Sequence, residues 1–336
     1  MRKSEMTSAG TLNDVKDESL FNVRVARKRA VARDTFLFEL VAIEDGSLPV
    51  FTPGAHLTVV TPKGVRRNYS LCSDASDTTR YEIAVKRDGH GRGGSISMVD
   101  HVQEGSILTI SAPRNNFEMS ARAKKSIFVA GGIGITPILS MMRSLKRSRE
   151  STDSDHSFQL FYCTRDVECA AFAHVLQTEF PGLVTAHYDN GDINNAFDFW
   201  PVFEKPTGAH VYCCGPKGLM ESVADMTGHW PSGSVHFESF GVDAKAVSEN
   251  RAFAVTLQRT GKHFSVSPEQ TLLEALRANG CVVRSSCESG TCGSCKTGLV
   301  SGDVEHRDMV LSDEEKRDHV MVCVSRAAAG ELVLDL

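Results

Sequence analysis

Four cysteines near the C-terminus place the strongest constraint on how this chain can fold. Cys287 and Cys292 are separated by four residues, Cys292 and Cys295 by two, and Cys323 follows after a long gap. This is the plant-type spacing for the ligands of a 2Fe-2S cluster. The pattern therefore predicts an iron–sulfur centre, which moves one electron at a time.

The residues between the first three cysteines are mostly small. Gly290 and Gly293 allow backbone conformations closed to other residues, so the loop can wrap closely around a cluster and aim N–H groups at its sulfurs. A structural zinc site, the alternative, usually contains two close pairs of cysteines, which this spacing matches poorly. A disulfide framework matches less well, because nothing indicates export from the reducing cytosol.

Length and charge narrow the class of protein. A chain of 336 residues can form two or three domains, and a net charge of −5 argues against a nucleic-acid-binding protein. Residues 1–20 mix charges without an apolar run, which predicts a flexible leader and not a signal peptide. The most apolar stretch, 127–142, is too short and too interrupted by glycine and proline to span a bilayer. We expect a cytoplasmic protein that binds neither nucleic acid nor membrane.

Residues 21–117 predict a small antiparallel β-barrel, because segments 22–27, 35–40 and 56–60 alternate apolar and polar residues between turn signals. A later glycine-rich turn contains Arg92, followed by Gly93, Gly94 and Ser95. Consecutive glycines let backbone N–H groups close on a phosphate, and the arginine can add a bidentate contact. A helix predicted over 96–102 would direct its positive N-terminus at the same phosphate. The region therefore indicates a flavin site.

Residues 118–236 predict an α/β domain with a parallel sheet, since strands over 158–163, 184–188 and 210–214 alternate with helical segments such as 170–179. A buried strand from residue 125 runs into a turn containing Gly131, Gly132 and Gly134, and a helix follows to about residue 147. This arrangement places backbone donors and a helix N-terminus against a dinucleotide pyrophosphate.

Residues 237–251 are polar and predict a linker to a third domain, 252–336. There, a hairpin formed by 253–257 and 263–266, an amphipathic helix over 270–280, the cysteine-rich loop and a last strand over 331–334 predict a small α+β ferredoxin domain of the β-grasp type.

Several segments together resemble motifs of the ferredoxin–NADP reductase superfamily. They are Arg67-Asn68-Tyr69-Ser70, Ala84-Val85-Lys86, the glycine-rich turns at 91–95 and 131–134, Cys213-Cys214-Gly215-Pro216 and the 236–241 segment. With the cluster loop and the domain order, they are most similar to the phthalate dioxygenase reductase family. Superfamily members commonly have one cysteine before the Gly-Pro pair, so the nicotinamide-side role is carried only onto Cys214.

The resemblance also implies roles for individual residues. Arg67 would contact the flavin phosphate, Tyr69 would pack on the isoalloxazine, and Ser70 would hydrogen-bond near its reactive N5. Thr136 and Phe240 would lie near the nicotinamide, with Phe240 covering the flavin face, so Ser70, Thr136 and Phe240 are the expected catalytic residues. The remaining cofactor-binding residues would be Asn68, Ala84, Val85, Lys86, Arg92, Gly93, Gly94, Ser95, Gly131, Gly132, Gly134, Cys214, Gly215 and Pro216.

A hydride carries two electrons and the cluster accepts one, so a flavin must stand between a nicotinamide and the cluster. The resemblance implies FMN as the flavin, NADH as the donor, and the Rieske centre of an aromatic-ring dioxygenase, with phthalate dioxygenase the expected system, as the acceptor. Arg165 would favour a 2′-phosphate and Asp166 would oppose one, so these residues alone leave NADH and NADPH open. We expect a monomer.

Other functions fit parts of the pattern. A reductase for another aromatic oxygenase or a demethylase would look alike, and an FAD-dependent reductase of a monooxygenase is a near rival. A redox-sensing or docking protein is a hypothesis from another class. The complete nucleotide domain argues against it, because a sensor has no need of a hydride donor.

Overall fold

The computed structural model describes residues 20–44, 46–89, 93–152, 155–231, 233–240, 250–285, 288, 290–291 and 293–336. The predicted leader up to residue 19, Arg92, and the predicted ligands Cys287 and Cys292 lie outside these residues. Within the described part of the chain, the strands form a six-stranded sheet followed by two five-stranded sheets.

The first sheet closes into a barrel. Its strands follow the order β4-β3-β6-β1-β2-β5, all neighbours are antiparallel, and a bridge between Leu71 and Ile83 joins the two ends. Alternate residues such as Val23, Phe38 and Leu57 fill its core. The elements are β1 (Leu20–Ala32), β2 (Thr35–Ala42), β3 (His56–Val60), β4 (Arg66–Ser70), β5 (Arg80–Lys86), α1 (Gly94–His101) and β6 (Ile107–Ser111).

Strand β1 is longer than the predicted 22–27 segment, because a run of basic residues in its second half hides the apolar alternation. One of them, Lys28, donates hydrogen bonds of 2.6 and 2.8 Å to the carbonyls of Val99 and Val102 at the C-terminal end of α1. A cation there satisfies carbonyls that the helix leaves unpaired. Helix α1 itself begins two residues before the predicted start, after Gly93 at φ +80°.

The second sheet is parallel, with the order β11-β10-β7-β8-β9, and helices connect its strands. Phe237 and Glu238, which the sequence placed in the linker, belong to β11 because they pair with Cys213 and Cys214 of β10. The elements are β7 (Lys125–Gly131), α2 (Ile135–Thr152), β8 (Ser157–Thr164), α3 (Ala173–Glu179), β9 (Val184–Tyr188), α4 (Trp200–Phe203), β10 (His210–Cys214), α5 (Lys217–Met226) and β11 (Val235–Glu238).

The third sheet has the order β13-β12-β16-β14-β15, in which only the central β12–β16 pair is parallel. Its helix begins with a capping box, since Thr271 and Glu274 each accept a backbone N–H of the other. The elements are β12 (Phe253–Leu257), β13 (His263–Val266), α6 (Leu272–Ala278), β14 (Lys296–Glu305), β15 (His319–Met321) and β16 (Arg326–Leu334).

The barrel and the parallel sheet share a continuous apolar core. Leu37, Cys72 and Ala84 of the barrel region pack in one cluster with Phe128 and Ile138 of the parallel sheet and its helix. This packing fixes the end of β4 near the carboxyl ends of the parallel strands, where α/β sheets bind ligands. No helix among the described residues is both long and apolar enough to cross a membrane.

Candidate active site

Ser70 and Glu238 meet where the barrel contacts the parallel sheet. Ser70 is the last residue of β4 and Glu238 the last of β11, and both are buried. The Ser70 hydroxyl donates a hydrogen bond of 3.3 Å to Oε2 of Glu238. Cys214 lies beside Glu238 in the sheet register. Three chemically active side chains therefore converge from three strand ends.

Glu238 is a candidate site residue that the sequence analysis missed. In the sequence it stands in a motif at the start of the predicted linker, and an exposed linker gives no reason to expect a buried carboxylate. The available signal was the alternation Val235, His236, Phe237, Glu238 directly before the polar segment. Few acidic residues are buried without a specific partner, so a strand that ends in one indicates a site.

The Cys214 thiol stays protonated over the ordinary pH range. Burial raises its pKa well above the usual value for a cysteine, and the charge of Glu238 adds to the effect. Cys213 points to the opposite side of β10, into a separate apolar cluster, and both are free thiols as expected. Only Cys214 can therefore contribute to the site, as a neutral group.

The first glycine-rich turn of the parallel sheet packs directly against the end of β10. A Cβ on Gly134 would lie 2.1 Å from the Cys214 carbonyl oxygen, and one on Gly131 would lie 2.4 Å from Cδ of Pro216. Gly132 has φ +53° and open space around its Cα. Gly131 and Gly134 thus allow close packing, whereas Gly132 leaves the backbone accessible. The turn fits a pyrophosphate at Gly132.

Thr136 and Phe240 differ in what they offer a ligand. The Thr136 hydroxyl is buried and donates 3.0 Å to the Ile133 carbonyl, so it holds the turn and keeps only acceptor capacity for a nicotinamide. The Phe240 ring is 45% exposed. It lies two residues after the buried Glu238.

The flavin-phosphate residues surround the start of α1. A Cβ on Gly94 would lie 3.0 Å from Nε of Arg67, and one on Gly93 would lie 2.7 Å from Nζ of Lys63. The Ser95 hydroxyl accepts 3.1 Å from the backbone N–H of Asp88, which closes the base of the turn. Two cations and a helix N-terminus therefore meet, an arrangement that fits a phosphate. Lys63 was not predicted.

For the other predicted flavin-binding residues, the structure gives less direct evidence of a site. Burial raises the pKa of the half-buried Tyr69 to about 12, so its phenol stays neutral. Asn68 is exposed and its Oδ1 accepts 2.9 Å from the Thr58 hydroxyl. Ala84 and Val85 are buried in apolar cores and Lys86 is exposed. The side chains of Ala84 and Val85 cannot reach an open site, so only their backbone could contact a flavin.

Asp166, the residue expected to oppose a 2′-phosphate, is already engaged. Its carboxylate forms an ion pair with Arg33 of the barrel and accepts 2.9 Å from the Cys169 N–H. Desolvation acts to raise its pKa, but these hydrogen bonds lower it below the usual value, so the group remains charged. Arg165 instead lies along Gly191, 3.5 Å from a Cβ built there. The Asp166 carboxylate is therefore already paired with an arginine of the barrel.

The described part of the cluster loop fits a metal cluster. Cys295 and Cys323 are both 2% exposed and belong to one core. Gly290 and Gly293 both have φ +77°, the left-handed conformation that the sequence analysis expected of glycine. A Cβ on Gly290 would lie 2.8 Å from the Val324 side chain, so the loop also packs tightly on the residue after Cys323.

Comparison with known proteins identifies the family. The model of an oxidoreductase FAD-binding domain matches residues 22–119, and that of a 2Fe-2S iron-sulfur cluster binding domain matches residues 255–328. The chain is 54% identical to the phthalate 4,5-dioxygenase oxygenase reductase subunit of Pseudomonas putida, over 95% of its own length and 98% of the relative's. It belongs to the phthalate dioxygenase reductase family. It is also 53% identical, at the same coverage, to phthalate dioxygenase reductase of Burkholderia cepacia.

A solved structure of phthalate dioxygenase reductase, described as modular for electron transfer from pyridine nucleotides to a 2Fe-2S centre, is similar throughout. The TM-score is 0.77 at 53% identity, over 95% of this chain and 98% of that one. The predicted fold class is therefore confirmed: a flavin barrel, a parallel-sheet nucleotide domain and a ferredoxin domain. As a member of this family the chain is an oxidoreductase with a flavin domain and a 2Fe-2S domain, which sets aside the zinc and sensor alternatives.

Proposed function

We propose that this chain takes a hydride from NADH onto FMN and passes single electrons through its 2Fe-2S cluster to the oxygenase component of an aromatic-ring dioxygenase. The observation that carries the proposal is the contact between Ser70 and Glu238. It brings the flavin motif of the barrel to the carboxyl edge of the parallel sheet, where a nicotinamide would bind. FMN supplies the conversion of one two-electron transfer into two one-electron transfers.

In this proposal Ser70 and Glu238 act as a pair. The Ser70 hydroxyl could turn from Glu238 to donate to a nitrogen of a bound flavin, because a hydroxyl rotates about its C–O bond. Glu238 keeps an acceptor beside the site, and Cys214 adds a neutral thiol that excludes water. Thr136 holds the turn that would bind the pyrophosphate, and Phe240 would cover the flavin face.

The phosphate site supports FMN as the flavin. Arg67 and Lys63, with Arg92 from the sequence, would place up to three cations around one phosphate at the start of α1. A terminal phosphate carries up to two charges on one group, whereas each bridging phosphate of a dinucleotide carries one, so cations gathered around a single phosphate favour a mononucleotide. NADH as the donor rests on the resemblance to the family, because the charge of Asp166 is offset by its ion pair with Arg33.

The cluster would be held by Cys287, Cys292, Cys295 and Cys323.

We further propose that the partner oxygenase has a Rieske centre, that phthalate is its substrate, and that the reductase is a monomer of the cytoplasm. The six described cysteines outside the proposed ligand set, Cys72, Cys163, Cys169, Cys213, Cys214 and Cys281, are free thiols, which suits a reducing compartment. The proposed division is a leader at 1–20, an FMN domain at 21–117, an NADH domain from residue 118 and a ferredoxin domain at 252–336. The linker, predicted at 237–251, begins after Glu238, because β11 extends the NADH domain to that residue.

An anaerobic titration with NADH, with flavin and iron quantified on the same sample, tests the proposal. We expect stepwise bleaching of one flavin and one two-iron cluster, followed by reoxidation when a Rieske oxygenase is added. Bleaching of flavin without iron in the sample would contradict the cluster assignment. Reoxidation by a vanillate or other aromatic oxygenase, and not by phthalate dioxygenase, would assign the chain to the alternative, a related oxygenase system.

A further inference from the structure

Helix α2 connects the pyrophosphate turn to the barrel. It begins directly after that turn and presents Ser140, Arg143 and Arg147 on one face, as their spacing of three and four residues requires. The fully buried Ser140 hydroxyl donates 2.9 Å to the Ser73 carbonyl, and Arg147 forms an ion pair with Asp74. The same face of α2 is therefore attached to barrel residues a few positions after Ser70.

Arg143 makes the most extensive of these contacts. Its Nη1 donates 2.8 Å to the Cys72 carbonyl and 3.2 Å to Oε2 of Glu82 on β5. Its Nε and Nη2 donate 3.1 and 3.0 Å to the two carboxylate oxygens of Glu179 at the end of α3. The side chain is only 17% exposed. One guanidinium thus joins the barrel on one side and the nucleotide domain on the other.

These contacts link the barrel strand that ends at Ser70 to the helix that begins beside Thr136. Cys72 is two residues from Ser70 and its N–H donates 2.9 Å to the Glu82 carbonyl, so the two barrel acceptors of Arg143 are themselves joined. Thr136 is two turns before Arg143 on the same helix. We propose that Arg143 is a positioning residue that sets the separation between the nicotinamide turn and the flavin strand, and so the rate of hydride transfer. This inference rests on the proposed function.

Hydride transfer requires the reacting atoms to approach closely, so a small displacement of one domain against the other lowers the rate without removing any catalytic group. A buried ion pair could also serve stability alone. Substituting Glu82 and Glu179 one at a time distinguishes a positioning role of Arg143 from a purely stabilising one. On the barrel side, Arg143 is joined to the Cys72 carbonyl and to Glu82, whereas Glu179 only joins α2 to α3 within the nucleotide domain. Positioning therefore depends on the barrel contacts, of which Glu82 is the one that a side-chain substitution can weaken, and stability depends on both carboxylates.

The experiment compares Arg143→Met, Arg143→Lys, Glu82→Gln and Glu179→Gln in the full-length, FMN- and cluster-loaded protein. Stopped-flow absorbance gives the rate of flavin reduction at saturating NADH, the NADH dissociation constant and the charge-transfer absorbance of the NADH–flavin complex. We expect Arg143→Met to reduce flavin about ten-fold more slowly, with weaker charge-transfer absorbance and an unchanged NADH dissociation constant. Arg143→Lys should recover part of the rate.

Glu82→Gln should slow flavin reduction in the same way, while Glu179→Gln should lower the melting temperature but leave the rate unchanged. If Arg143→Met does not fold, this pair of variants carries the test. Equal rates in Glu82→Gln and wild type, or equal slowing in Glu82→Gln and Glu179→Gln, would overturn the positioning role. Failure of the wild-type protein to accept hydride from NADH would instead overturn the proposed function.

Discussion

The hydroxyl of Ser70, at the end of a barrel strand, donates a hydrogen bond to the carboxylate of Glu238, at the end of a parallel strand. The two residues are 168 positions apart in the chain. Each is buried, and each terminates its strand at the boundary between the two sheets. The boundary therefore buries a carboxylate, which costs free energy of folding and so favours a functional role for the pair.

Replacing Ser70 with Ala should slow flavin reduction by NADH by about 100-fold while FMN remains bound, because one positioned hydrogen-bond donor is lost. Stopped-flow absorbance under anaerobic conditions measures the rate. Ser126→Ala is a matched control, since that serine is also buried but lies at the amino end of β7, where its hydroxyl contacts His156. An unchanged rate in Ser70→Ala would remove Ser70 from the mechanism.

Replacing Lys63 with Gln should raise the dissociation constant of FMN about ten-fold, because one charged contact to the phosphate is lost. Recovery of flavin fluorescence on dilution measures the constant. Riboflavin, which has no phosphate, should bind the variant and the wild type equally. Equal weakening of FMN and riboflavin would show that Lys63 acts on the fold and not on the phosphate. Lys124→Gln, at a distant exposed ion pair, is the control variant.

The sequence predicted elements well where local alternation and turn residues determine them. Strands β3, β9, β10, β12 and β13 were predicted with the bounds that the structure gives. The predicted segments for β2 and β8 were two residues too short, and the ends of the helices differ by a few residues. The spacing of the four cysteines and the glycine-rich turns likewise led to the correct family. These are local features, so no knowledge of the fold was needed to read them.

The sequence failed where a segment depends on distant partners. Strand β14 contains polar residues and glycines and strand β15 is only three residues long; β14 is a strand because it pairs with β16, and β15 because it pairs with β14. Glu238 belongs to a strand only through its pairing with β10, and its buried contact to Ser70 depends on packing between two sheets. Lys63 reaches Gly93 across the barrel turn, which no local pattern reports.

Replacing Cys295 with Ser should leave NADH-driven flavin reduction intact and abolish electron delivery to the oxygenase, since a cluster ligand is lost. Iron content, flavin bleaching and oxygenase-coupled turnover are measured on the same preparation. Cys281→Ser, a half-buried cysteine of the same domain outside the ligand spacing, should retain iron and turnover. Coupled turnover by an iron-free Cys295→Ser protein would contradict the electron path.

The buried thiols predict that stability falls in mild alkali. Burial raises the pKa of Cys163 to about 12, and raises those of Cys72, Cys213 and Cys214 further above the ordinary value. The folded protein therefore keeps these protons while the unfolded chain loses them above pH ~8.5. Because the folded state then binds more protons, the free energy of unfolding should be constant below that pH and fall as pH rises, by up to ~1.4 kcal/mol per pH unit for each thiol.

Urea unfolding in the presence of reductant at pH 7.5 and 9.5 measures this dependence. The wild-type midpoint should fall between the two pH values, and Cys72→Ala should show a smaller fall, because one of the thiols no longer contributes. The packing lost with the Cys72 side chain lowers the urea midpoint equally at both pH values, so it cancels when the change in midpoint between them is compared. An equal or larger fall in Cys72→Ala would mean that the thiols do not control alkaline stability.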